Sequence, residues 1–414
     1  MQRATIFGVA GLLLARVLFA SAAEPVVGAD LTLAEAVELA VRDNPERRSL
    51  RARWESMRER PAQARALPNP MFAYSGMDMA DRGEWPDTNE KRFMVEQGFP
   101  WFGKRGLRRD LAIEDAETMR QELEAMTQDV VRRVKENYFD LQAVQRAIVL
   151  TREEEDVLQR MKTVAETMYA AGERSQQDVI KAQAEITLLK QKQLELQAQE
   201  TTLKAKLNIL LDRRADAPLV LAATAPPGAP EAEVPALFAH AEKARPEIKG
   251  AESQIRRSQM ERDLMRKEFR PDVRLGLEYR DLARDDNMIM FTVGFDLPIR
   301  LSKYRAGVRE AEKMIESGKA ALEAAQRQTS FEVQDAHYKL LTARRTLDLY
   351  RNELIPQAEA RFVASEAGYR AGQVDFMDLL ESERFRLEAR IMAAMAEGAI
   401  GMQAARLERA IGGR

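Results

Sequence analysis

Cysteine is absent from the 414-residue chain. That excludes disulfides, thiolate metal ligands, thiol nucleophiles and a lipid-anchored N-terminal cysteine. Histidine is nearly absent: only His240 and His337 could offer an imidazole, and neither has neighbours at the spacing of a zinc site or a nucleophile–histidine pair. No phosphate-cradling glycine loop is present, so the chain is not expected to be an enzyme or to carry a cofactor. Charge excess is also missing. The chain's 64 Lys+Arg against 66 Asp+Glu leave a net charge of −2, without the basic surplus of a nucleic-acid binder. After residue 23 no apolar run is long enough to cross a bilayer as a helix. The acidic run Glu153-Glu154-Glu155-Asp156 reads as a solvated helix face.

What is present begins with a secretory signal. Met1-Gln2-Arg3 is a short basic start, Ala4–Ala20 is almost wholly apolar, and Ala20-Ser21-Ala22-Ala23 offers small residues for cleavage. Residues 1–23 are therefore expected to be removed on export. The remainder repeats itself at an offset near 200 residues. Asn44-Pro45-Glu46 matches Arg245-Pro246-Glu247, Gly98-Phe99-Pro100 matches Asp296-Leu297-Pro298, and Tyr169-Ala170-Ala171-Gly172 matches Tyr369-Arg370-Ala371-Gly372. An aspartate follows six residues after each of those glycines, Asp178 and Asp378. The expected organisation is a first repeat over 24–214, an Ala/Pro-rich linker over 215–235 and a second repeat over 236–414.

Each repeat has one plan. Thr32 and Glu35 make a capping box for a first helix, and a second helix is expected from Glu46 to Ala66, ended by Pro68-Asn69-Pro70. A period of two follows. Val273, Leu275, Leu277 and Tyr279 alternate with polar or small residues, and after Arg284-Asp285-Asp286-Asn287 so do Ile289, Phe291, Val293 and Phe295. Strands are expected at about 271–282 and 287–298, with a fainter copy at about 70–79 and 91–100. Their length of about 10 residues suits a tilted crossing of a bilayer. Between Gly106 and Tyr169 there is then neither proline nor glycine, predicting a helix of roughly 95 Å. Its narrow apolar stripe, Val130, Val134, Tyr138, Leu141, Val144 and Ile148, suits coiled-coil packing in a hollow tunnel or an antiparallel pair. Four strands cannot close a barrel, and an open edge in lipid is untenable. The subunit must pair with copies of itself, as a dimer of about 8 strands or a trimer of about 12.

These residues resemble the TolC family of outer-membrane efflux proteins over essentially the whole mature chain. The resemblance is carried by Leu354-Ile355-Pro356-Gln357-Ala358, by Tyr369-Arg370-Ala371-Gly372 with Asp378-Leu379-Leu380-Glu381, and by Ala171-Gly172-Glu173-Arg174 with Asp178. It implies a mainly α subunit of a homotrimer: a 12-stranded barrel in outer-membrane lipid above a long α-helical barrel in the periplasm. It also implies a periplasmic adaptor (membrane fusion) protein and an inner-membrane pump as partners. The role implied is the exit channel of a tripartite efflux or type I secretion system. The competing class is a periplasmic adaptor or coiled-coil scaffold. The run Glu96–Arg105 resembles the subgroup that serves heavy-metal pumps of the resistance-nodulation-division type; physically it is a strand-to-helix elbow with interfacial aromatics. The tip turns are expected at Tyr169, Gly172 and Gly372. The family implies that Asp178 pairs with Tyr369, and it places an arginine where this chain has Val374, leaving Arg174 of the first repeat to serve. Asp378 and Glu381, three apart on one helix face, would converge by three-fold symmetry into a carboxylate ring at the periplasmic aperture. No resident metal site is expected, although Met288 and Met290 would offer thioethers to the lumen for soft ions such as Cu(I) or Ag(I).

Overall fold

A computed structural model describes residues 30–77, 90–227, 233–282 and 287–413. The signal segment, the middle of the linker and both hairpin loops, including 284–286 of the expected turn, lie outside the described residues.

The chain enters at α1 (Leu33–Asp43), whose capping box forms: Thr32 Oγ1 accepts from the Glu35 amide while Glu35 Oε2 accepts from the Thr32 amide. Asn44 closes α1 and caps α2 (Pro45–Arg58), accepting from the Arg47 amide at 3.1 Å. The single helix expected over Glu46–Ala66 is broken. Pro61 cannot donate an amide, so α2 ends and a short α3 (Arg60–Arg65) restarts with the proline in its first turn.

Strands β1 (Met71–Met77), β2 (Glu90–Phe99), β3 (Asp272–Leu282) and β4 (Met288–Asp296) form one antiparallel sheet in the order β1-β2-β3-β4. The two hairpins lie almost 200 residues apart in sequence, yet β2 and β3 pair from Glu90↔Leu282 to Phe99↔Val273. After β2, α4 (Lys104–Ala170) runs 67 residues without interruption, about 100 Å, and returns as α5 (Gln176–Leu210). The second repeat supplies α6 (Val234–Ala244), α7 (Pro246–Lys267), α8 (Leu301–Leu349), α9 (Ile355–Arg370) and α10 (Phe376–Ala410). Between α8 and α9 the helix widens into a π turn at Tyr350–Leu354, immediately before Pro356. The i→i+5 pattern makes room for a ring that would clash with the carbonyl one turn back.

The core is a set of helix seams. Val130, Val134, Tyr138, Leu141 and Val144 of α4 meet Leu196, Leu203 and Leu207 of α5 beneath α1. The strap after α5 is pinned by a parallel bridge between Leu31 and Leu221, and the Tyr138 hydroxyl lies 2.6 Å from the Ala222 carbonyl. α4 also packs along α10, where Gly398 and Gly401 admit Phe139. A Cβ on Gly401 would stand 2.2 Å from Phe139 Cγ, so these helices approach closer than any side chain allows. α5, by contrast, packs along α4 and touches α10 over only a few residues. Ile180, Leu188 and Leu194 of α5, and Phe331, Tyr338 and Val363 of α8 and α9, are exposed on the single chain.

Candidate functional site

The sheet has two chemically distinct faces, because residues paired across antiparallel strands project to the same side. One side carries the rows Phe72, Val95, Leu277, Phe291 and Tyr74, Phe93, Tyr279, Ile289. The rings of Tyr74, Phe93 and Tyr279 follow one another at 5.1 and 6.3 Å. The opposite side carries Ala73, Met94, Glu278, Met290 and then Ser75, Arg92, Arg280, Met288. Its charges are paired: Arg92 with Glu90 at 2.6 Å, Arg274 with Glu96 at 3.7 Å, and Arg274 with Asp296. An apolar, aromatic-bearing face backed by a salt-bridged one is the wall of a water-filled barrel in lipid. Met288 and Met290 share the charged side with Thr292, as the alternation predicts.

At the junction of sheet and helices, Lys104 is buried at the first residue of α4. Its Nζ donates to Asp272 Oδ1 at 2.8 Å, Glu268 Oε2 at 3.1 Å and the Arg270 carbonyl at 3.2 Å. Asp272 also accepts from the Trp101 amide at 2.7 Å. Gly103, at φ +83°, turns the chain from strand into helix. The elbow is thus a three-acceptor clamp on one ammonium, which sequence reasoning saw only as the basic end of an aromatic run.

At the far end of the helices the two tip turns are near copies. Gly172 and Gly372 take φ +77° and +76°, left-handed values that favour glycine. The Glu173 amide donates to the Met168 carbonyl, and Gln373 donates to the Gly368 carbonyl. Ser175 caps α5 and Asp375 caps α10. The side chains then diverge. Tyr169 is 48% exposed, whereas Tyr369 is 1% exposed and packs at a tilt against the Phe376 ring, 5.2 Å between centroids. The Tyr369 hydroxyl reaches Asp178 Oδ2 at 3.4 Å, at the outer limit of a hydrogen bond. Burial, then the Asp178 charge, push the phenol up to about 12. Arg174 lies over the same ring at 4.9 Å and donates to the carbonyls of Tyr369 at 3.2 Å and Val374 at 3.4 Å. An arginine from the first repeat thereby ties down the second turn. Asp378 and Glu381 are exposed on α10 and Glu381 stands 3.8 Å from Arg361.

Over the next two to three turns of α10, three arginines fan outward. Arg384 donates to Glu185 of α5 at 2.7 Å, Arg390 donates to Glu153 of α4 at 2.8 Å, and Arg386 pairs with Glu383 and reaches Glu154 of α4 at 3.4 Å. Here the reading of Glu153–Asp156 as a solvated face needs correction: Glu154 is 2% exposed, because the helical phase turns one of the four carboxylates into the α4–α10 seam. Of the two histidines, His240 is exposed on α6 and His337 lies edge-on to Tyr338 at 5.8 Å. Among the described residues no group of acidic or imidazole side chains is arranged to hold a metal ion.

A barrel-wall sheet joined through an ammonium clamp to two long helical hairpins defines a channel subunit. The family model for outer membrane efflux proteins matches residues 36–211 and 237–413, and the chain belongs to that family. It is 24% identical over 396 residues to the cobalt-zinc-cadmium resistance protein CzcC of Cupriavidus metallidurans, covering 92% of this chain and 90% of CzcC. Among solved structures it superposes on the outer-membrane channel OprN with a TM-score of 0.79 at 18% identity, over 92% of this chain and 90% of that one. CusC gives 0.79 at 16% identity, over 93% of each chain. The protein is an outer-membrane efflux channel whose helices extend into the periplasm.

Proposed function

We propose that three copies close their four-stranded sheets into a 12-stranded barrel and that the assembled tunnel exports metal cations delivered by a resistance-nodulation-division pump through its adaptor. The observation that carries this is the sheet itself. Its order β1-β2-β3-β4 leaves β1 and β4 as edges under an apolar face, and lipid cannot satisfy their backbone groups. The exposed apolar stripes of α5 and of α8–α9 are the matching requirement on the helical side. Cobalt, zinc and cadmium come into consideration through the likeness to CzcC. In the trimer Asp378 and Glu381 ring the periplasmic aperture, while Arg174, Asp178 and Tyr369 hold the tip turns together. Met288 and Met290 add soft donors to the lumen.

Cells that keep the pump and adaptor but lack this chain are expected to retain cobalt, zinc or cadmium, and the full chain is expected to restore efflux. Met288→Leu with Met290→Leu is expected to lower tolerance of Ag(I) or Cu(I) alone. Normal metal efflux in the deletion strain would refute the metal-exporting role.

A further inference from the structure

Glu154 and Glu383 stand out among the titratable groups because they are buried together between the two hairpins. Glu154, on α4, is 2% exposed and Glu383, on α10, is 1% exposed. Both carboxylates reach the same nitrogen, Arg386 Nη2, which sets the two carboxyls side by side. One guanidinium serves both: Arg386 donates to Glu383 through Nε at 2.9 Å and through Nη2, while Glu154 Oε2 receives only the 3.4 Å contact. Glu154 Oε1 is buried and has no hydrogen-bond partner in the protein. The Arg386 guanidinium is capped from the other side by the Phe362 ring at 4.4 Å.

Besides Arg386, the one other cation acting on Glu154 is Arg390, whose weaker pull is shared with Glu153. On α9, Glu359 adds a third carboxylate 3.5 Å from Arg386. On α4, Glu153 takes Arg390, while Glu155 takes Gln193 and Lys190 of α5. On α5, Glu185 takes Arg384. Two adjacent buried carboxylates sharing a single arginine cannot both be ionised without a large cost.

We propose that Glu154 and Glu383 form a proton-binding site, in which one proton held on Glu154 and donated to Glu383 docks the α9–α10 hairpin against α4. Desolvation foremost, then the Glu383 carboxylate, push Glu154 up to about 9 from an ordinary 4.5. When the hairpins part, Glu154 meets water and returns to the ordinary value. A pKa raised in the docked state gives docking its full strength below about 4.5, and that strength is lost as pH rises toward about 9. Acid therefore tightens the seam behind the tip and alkali loosens it. The inference depends on the gate reading only for its effect on current; the proton itself can be observed in detergent.

The test uses the full-length trimer, which has no native cysteine. Spin labels at Gln159→Cys on α4 and Glu388→Cys on α10 report the seam, and infrared absorption reports protonated carboxyl. A carboxylic-acid band is expected at neutral pH, disappearing as the solution is made alkaline and missing from Glu154→Gln. The label distance is expected to lengthen over the same range in the parent and to stay short at every pH in Glu154→Gln, whose amide still donates to Glu383. Glu383→Gln, which leaves Arg386 to Glu154, is expected to lower the midpoint by at least a pH unit. Absence of the band at neutral pH, or a pH response unchanged in Glu154→Gln, would overturn the proposal. A titrating seam with pH-independent single-channel current would leave the proton site standing and remove the tip as the gate.

Discussion

Arg174 shows how a site can be partly legible from residues alone. The tyrosine, aspartate and glycine spacings locate both turns, and Val374 reveals that the second repeat lacks its arginine. That Arg174 crosses to the other turn and stacks on Tyr369 is visible only in three dimensions. Glu154 was hidden for a related reason: an unbroken run of four acids has no periodicity, so sequence cannot say which one the helix turns inward. Arg384, Arg386 and Arg390 lie on a highly charged helix, and no sequence signal marks their partners. If the tip is the gate, Asp178→Ala with Tyr369→Phe is expected to raise single-channel conductance. Asp378→Ala with Glu381→Ala should weaken both cation selectivity and block by divalent cations. Unchanged currents in both double variants would place the constriction elsewhere. At the other end, Lys104→Met removes the buried ammonium shared by Asp272 and Glu268, which are left with only one ion pair, the 3.5 Å contact from Arg108 to Glu268. It is expected to cost about 1–3 kcal/mol, seen as a loss of assembled, heat-resistant protein.

Among the elements, strands and long helices were legible because each repeats a simple period, whereas interruptions depend on single residues. Pro61 splits α2 from α3, and Pro356 is accommodated by a π turn rather than by a break; both prolines are plain in the sequence, but the choice between a break and a bulge is made by packing. The β faces make a sharp prediction. Leu277 lies mid-strand on the apolar face, and Leu277→Arg should cost roughly 2–4 kcal/mol at the bilayer midplane. Arginine at Thr292, on the charged face, should be tolerated better. Equal loss of assembled protein in outer-membrane fractions for the two variants would contradict the face assignment. For the helices, Gly398→Ala places a Cβ 2.6 Å from Ala143 Cβ and 2.9 Å from the Phe139 carbonyl oxygen, so α10 must move off α4. The expected cost is about 1–3 kcal/mol. Gly106→Ala, with nothing within 4 Å of the added carbon, should cause no loss in the same thermal melt.

For the whole molecule, duplication is what joins the two ends. Each repeat contributes one hairpin to the sheet and one long helical pair to the tunnel wall, and the β2–β3 pairing seals the halves into one strip. The strip cannot close on itself, so the account stands on what its edges pair with. Composition and strand length left a dimer and a trimer open, since a count of strands fixes no symmetry. The most direct measurement is therefore an edge cross-link in outer membranes. Single cysteines are introduced at Phe72 on β1 and at Phe291 on β4, in a chain that otherwise has none, and neighbouring pairs are scanned for register. Oxidation should yield a covalent species of three chains, closed into a ring. A ladder ending at two chains, or no cross-link at any register, would contradict the trimeric barrel.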